Sequence, residues 1–151
     1  MTIREESALI PLADYGYPEQ AKRLLAMCIW PDPASLDRAW ARYREDGCLL
    51  FGRVVSSELA GLIGIREENT GEYELLHLAV RPSDRGHGIG SGMIAEWMRT
   101  RPSAQLIAET DAEAVGFYAK IGFRVYSLGE TYPGIERFRC VLRKREPCCE
   151  G

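Results

Sequence analysis

No run of apolar residues approaches the roughly 18 that a membrane-crossing helix needs. The opening MTIREESALI has neither the basic start nor the apolar core of a secretory signal. The expectation is a cytoplasmic protein with no membrane partner. Charge of one sign is not in excess: 19 Lys and Arg stand against 22 Asp and Glu, a net -3, and no basic stripe is interleaved with aromatics. A nucleic-acid partner therefore has no support. Cysteine is sparse and badly spaced for ligation. The five (Cys28, Cys48, Cys140, Cys148, Cys149) are odd in number and form no CxxC pair, which argues against a structural zinc, any other metal site or a disulfide framework. Cys28 and Cys48 sit in the apolar runs LLAMCIW and GCLLF, where a free cysteine packs as a small hydrophobe. Cys148 and Cys149 fall in the polar end KREPCCEG, read with residues 146–151 as a disordered tail.

What is present is a chain of 151 residues, 46% hydrophobic, enough for one globular domain over residues 1–145. Leu24, Leu25, Met27 and Cys28 recur at helical spacing after Pro18, and Leu36, Ala39, Trp40 and Tyr43 repeat the pattern after Ser35. Past Gly47 the texture changes. CLLFGRVV, LAGLIGIREE and YELLHLAV read as three meander strands broken at SSE and ENTGE. Ile89, Met93, Ile94, Trp97 and Met98 then form one helical face. AQLIAE follows as a short buried strand, and a last helix runs through Ala114, Phe117, Tyr118 and Ile121 to a cap at Gly122. FRVYSL and ERFRCVLRK close the chain as strands around a loop GETYPGI, and a further short strand is open near SALI. The fold class is α/β: a mixed, mostly antiparallel central sheet of six to seven strands with about four helices on both faces.

The stretch RGHGIG, residues 85 to 90, stands between the strand YELLHLAV and the helix. Gly86, Gly88 and Gly90 there leave N–H groups unblocked at the positive end of a helix dipole, an arrangement that holds phosphate, and Arg85 can add a charge-assisted contact. A nucleotide P-loop would need GxxxxGK[ST], which is missing. A dinucleotide GxGxxG from Gly86 and Gly88 meets Ser91 where its third glycine belongs.

LAVRPSDRGHGIG resembles the acetyl-CoA signature R/Q-x-x-G-x-G/A of the GCN5-related N-acetyltransferases, with Arg85, Gly88 and Gly90 in order. DAEAVGFYAKIGF is similar to a second element of that family through Ala114, Tyr118, Lys120, Gly122 and Phe123. The resemblance implies a GNAT-like fold and an acetyl-CoA-dependent transfer of an acetyl group to a primary amine of a small molecule or protein. It implies that the N–H groups of Arg85, Gly86, His87, Gly88, Ile89, Gly90 and Ser91 hold the pyrophosphate. The pantetheine arm would lie beside Leu78, Ala79 and Val80, with Ala114 and Asp111 also toward the cofactor. Asp111 stands where the family often has asparagine and is equally suited to an N-cap. Tyr118 takes the family's tyrosine position, as proton donor to the leaving thiolate.

The base is open. Glu74 on the strand before the cradle is the first choice; Glu109, His77 and water remain, and Glu72 is a surface candidate. Strand alternation alone does not aim these side chains. Trp30, Trp40, Glu130, Tyr132 and Glu136 are candidates for an acceptor pocket, with Trp40 better read as core. Two other functions stay in play, a non-catalytic acyl-CoA-binding or sensing domain and a dinucleotide-binding enzyme. The late strands are candidates for pairing two copies into a homodimer.

Overall fold

A computed structural model describes residues 6–12, 18–29 and 31–143. The predicted tail at 146–151 lies outside them. The elements are β1 (Ile10–Pro11), α1 (Pro18–Ala26), α2 (Pro33–Arg42), β2 (Cys48–Val55), β3 (Glu58–Asn69), β4 (Glu72–Val80), α3 (Ile89–Arg99), β5 (Gln105–Asp111), α4 (Val115–Lys120), β6 (Arg124–Tyr132) and β7 (Ile135–Arg143). The seven strands are ordered β1-β2-β3-β4-β5-β7-β6. β4 and β5 run parallel, while β1–β2, β2–β3, β5–β7 and β6–β7 are antiparallel. The chain divides into two compact units, residues 1–66 with 76–100, and residues 67–75 with 101–151.

In the first unit, the amphipathic α1 buries Ala21, Leu24 and Leu25 against Leu12, Leu59, Leu62 and Ala79, and Leu36, Ala39, Trp40 and Tyr43 of α2 pack on the same cluster. The cap of α2 is Asp32 rather than Ser35. Asp32 Oδ1 accepts from the Ser35 N–H at 2.8 Å and Oδ2 from its hydroxyl at 2.6 Å, which leaves Pro33 at the first turn, where its missing N–H costs nothing. The β2–β3 hairpin turns on Ser56 and Ser57, both at positive φ (50 and 70°). The face of α3 predicted from spacing, Ile89, Met93, Ile94, Trp97 and Met98, is buried throughout. Gly61 allows the first turn of α3 to close on β3: a Cβ there would lie 2.9 Å from Met93 Sδ and 3.0 Å from Ile89 Cγ2.

In the second unit, three pairs of the β4–β5 ladder run from Glu72↔Gln105 to Glu74↔Ile107. β7 lines up along all of β5, from Gln105↔Arg143 to Asp111↔Arg137. The last helix is shorter than predicted, six residues with none buried. The predicted loop GETYPGI is largely strand: β6 continues to Tyr132, and two register shifts, at Ser127/Gly129 and Glu130/Tyr132, absorb the irregular spacing that made it read as loop. All nine residues of β6 are exposed.

The two cysteines predicted to pack in the core part ways. Cys48 is buried, but Cys28 is exposed, because α1 ends at Ala26 and the helical spacing that would have turned it inward is lost.

Candidate active site

In the first unit, β4 leads into the cradle. The Arg81 N–H donates to the Ala60 carbonyl of β3 at 2.7 Å. Alternation along an antiparallel strand then turns the main chain of Val80 and Leu78 to the other edge. Two side chains meet them there: Arg85 Nε donates to the Val80 carbonyl at 3.2 Å, and the Cys28 thiol to that of Leu78 at 3.4 Å. The Cys28 residue reaches the surface, yet enough protein surrounds its sulfur that burial pushes the thiol pKa up, against the lowering effect of the Leu78 contact. It is therefore a weak thiolate source. Ala79 points its side chain into the core, and by the same alternation its main chain faces β3, so it lies off the edge that Leu78 and Val80 present, contrary to its predicted part there.

A single 3-10 turn, Pro82–Asp84, follows, with buried Asp84 accepting from Arg81 Nε at 2.5 Å. Arg81 also pairs with Glu58. Gly86 and Gly88 lie at φ +81 and +77°. No atom lies within 4 Å of a Cβ built at Gly86, so the glycines serve backbone conformation rather than crowding. Gly88 caps α3 with no side-chain bond, and the first helical hydrogen bond is Gly92 N–H to the Gly88 carbonyl, 2.9 Å. The N–H groups of Ile89, Gly90 and Ser91 precede it and have no partner within the helix. Arg85, Gly86, His87 and Gly88 are exposed around them, while Ile89 and Gly90 are buried and Ser91 half-buried. The result is an exposed glycine turn that leads into an uncapped helix start, the candidate cradle. Arg85 flanks it with its Nε on Val80.

His77 is the one candidate base whose surroundings are decisive. Its Nδ1 shares a hydrogen bond with the hydroxyl of Tyr43, the residue that ends α2, and the two rings meet edge to face at 5.7 Å. Burial, helped by the charge of Arg42, lowers its pKa to about 4. Burial also raises the pKa of the Tyr43 hydroxyl, which stays protonated. So weak a base, with one ring nitrogen already committed to Tyr43, is poorly placed to take a proton from an amine. Tyr43 crosses Gly64 to get there: a Cβ at Gly64 would fall 1.8 Å from its oxygen. Sequence reading assigned Tyr43 to a core stripe. Only a pairing with His77, 34 residues away, could have revealed its second role.

In the second unit, Glu74 is half-buried on β4 opposite Ile107. Glu109 faces Arg139 in the β5–β7 register, as Asp111 faces Arg137. Asp111 Oδ1 accepts from the N–H groups of Glu113 and Ala114, both at 3.1 Å. Asp111 is not the N-cap, a place Ala114 takes with no side-chain bond; its oxygen is committed to the turn that leads into α4. Half-buried Tyr118 has its ring edge to face with those of Phe117 and Phe123, 5.1 Å each. Of the acceptor-pocket candidates, Trp40 packs on the core with Lys22 over its ring. Glu130, Tyr132 and Glu136 stand exposed on the β6–β7 hairpin, and Trp30 lies outside the described residues. Among the described residues no cluster could hold a metal ion.

The model of the acetyltransferase (GNAT) domain matches residues 38–125, which spans the meander, the cradle and α4. The chain belongs to the GNAT family. A Bacillus methanolicus protein, "Uncharacterized N-acetyltransferase in lysA 3'region", is 31% identical over 84 residues, 55% of this chain and 70% of that one. Among solved structures, the ribosomal-protein-S18-alanine N-acetyltransferase of Escherichia coli superposes with TM-score 0.75 at 17% identity over 96% of this chain and 98% of its own. An aminoglycoside 6'-N-acetyltransferase complexed with coenzyme A gives 0.74 at 18%, over 97% and 99%. At these identities the likeness is one of fold. GNAT membership carries acetyl-CoA-dependent acetyltransferase activity in general, and it displaces the dinucleotide reading, which would need a parallel sheet where this one is mostly antiparallel.

Proposed function

We propose that this GNAT protein transfers the acetyl group of acetyl-CoA to a primary amine by direct attack on the thioester. The observation that carries the reading is the uncapped start of α3 behind two left-handed glycines, where the N–H groups of the first turn have no helical partner. The pyrophosphate rests on the N–H groups from Arg85 to Ser91. The arm runs along the free edge of β4 and takes the Leu78 and Val80 main chain in place of the Cys28 and Arg85 side chains. A relative in fold that binds coenzyme A supports the same donor here.

The amine nitrogen attacks the carbonyl carbon, the C–S bond breaks, and the main-chain N–H near Val80 steadies the developing oxyanion. Tyr118 gives its proton to the departing thiolate. The amine's proton leaves through Glu74, directly or by water; His77 drops from the candidates for the reasons above. Tyr118→Phe is expected to lower turnover about 100-fold, the lower end of the usual range of general-acid effects, with acetyl-CoA affinity little changed. An unchanged rate removes Tyr118 from the mechanism. A protein that binds acetyl-CoA and acetylates nothing in a broad amine panel is instead a non-catalytic acyl-CoA sensor.

A further inference from the structure

The cradle is only as well aimed as the first turn of α3, and that turn is seated on a buried cation. Arg53 of β2 is 7% exposed. Its Nη1 donates to Glu96 of α3 at 2.6 Å and to the Ser7 carbonyl at 2.9 Å. Its Nη2 lies 3.5 Å from where a Cβ on Gly92 would stand. Gly92 and Glu96 are one turn apart on the same side of the helix, so the guanidinium lies along the turn next to the one that Gly92 closes on Gly88. Glu96 completes the triangle, with its other oxygen accepting from the Leu9 N–H at 2.5 Å. The segment is tied back to β2 by Ser7 N–H to the Val54 carbonyl, 2.8 Å, and Val54 N–H to the Ser7 hydroxyl, 2.9 Å.

The sheet is shaped to allow this. The β2–β3 register jumps from Arg53↔Gly61 to Val54↔Leu59, leaving Ala60 as the extra residue of a bulge, a device that re-aims a side chain. The same Ala60 supplies the carbonyl that holds Arg81, the root of the cradle turn. A buried ion pair is a poor source of stability compared with an apolar side chain of like volume. Moreover, Arg53 Nε is buried with no hydrogen-bond partner among the described residues. What the planar fork supplies that an apolar chain would not is fixed geometry.

We propose that Arg53 is a positioning residue for cofactor binding: through Glu96 and the Gly92 turn it fixes the aim of the α3 N–H groups and couples them to the segment Ser7–Leu9. The proposal rests on the reading of the cradle given above. By reciprocity, a ligand in the cradle steadies Ser7–Leu9 as much as that segment steadies the cradle.

The test compares wild type, Arg53→Met, Arg53→Lys and Glu96→Gln. Coenzyme A affinity is measured by calorimetry, steady-state KM and kcat with acetyl-CoA, and amide exchange with and without coenzyme A. Arg53→Met is expected to weaken coenzyme A binding and raise KM about 10-fold, with kcat changed less than about twofold, the pattern of lost binding that does not grow in the transition state. Arg53→Lys should recover part of the affinity. Coenzyme A should slow exchange at Ser7 and Leu9 in wild type and fail to do so in Arg53→Met. Wild-type affinity in Arg53→Met overturns the proposal. If Arg53→Met does not fold, Glu96→Gln decides by the same readings. If wild type binds no coenzyme A, the reading of the cradle falls. The pin is then judged in the free protein: faster exchange at Gly92–Ile94 than at Trp97–Arg99 in the variants supports it, and uniform exchange refutes it.

Discussion

Acidification from pH 7 to pH 5 tests the Tyr43–His77 pair directly. The folded histidine has its pKa lowered from 6.5 to about 4, by burial first and the Arg42 charge second. At pH 5 the unfolded chain therefore holds nearly a full proton on this residue and the folded protein about a tenth of one. The unfolded state binds more protons, so stability falls with pH through this window, from the unfolded value near 6.5 down to about 4. Linkage gives a loss near pH 5 of about 2 kcal/mol, and screening at a half-buried site reduces it to about 1–2 kcal/mol. For a chain of this length that lowers Tm by about 5 °C. Urea titrations of wild type and His77→Asn at the two pH values isolate the effect, because every other titrating group contributes to both proteins. His77→Asn should lose less stability than wild type on acidification, by the amount above. Equal losses would mean that His77 is not a buried neutral group, and the argument against it as the base would go with that result.

Two other substitutions follow from the same geometry. Gly88→Ala places a side chain at φ +77°, which costs about 1–2 kcal/mol of stability. It should also weaken acetyl-CoA binding several-fold by calorimetry, whereas a variant of wild-type affinity would detach Gly88 from the cradle. Leu62→Ala, at a fully buried position of β3, should lower the urea midpoint by the equivalent of about 2–5 kcal/mol at unchanged slope. A loss under 1 kcal/mol would mean that the core around α1 is not packed as described.

Much of the fold was legible along the chain because its elements announce themselves locally. The face of α3 followed from a 3.6-residue period, the meander from apolar runs broken by short polar turns, and the cradle from glycines between a strand and a helix. Misreadings arose where the signal is weak or rests on distant partners. The β6–β7 hairpin hid behind Gly129, Pro133 and Gly134, which read as loop but serve two bulges and a tight turn. Cys28 carried core spacing until α1 ended two residues before it. For the candidate site, motif spacing named the glycine turn and Tyr118 but left the base open, because a strand does not reveal what packs on each face.

By itself the sequence determined the glycine turn that leads into α3, since the φ values it needs are open to glycine and closed to most other residues, and motif spacing is a local property. Only the tertiary structure decided the state of His77, because its pKa is set by burial and by Tyr43 from another element. The same holds for Arg53: nothing in GRVV marks it, and its role exists only where a bulge in β3, a turn of α3 and the Ser7–Leu9 segment meet around one guanidinium.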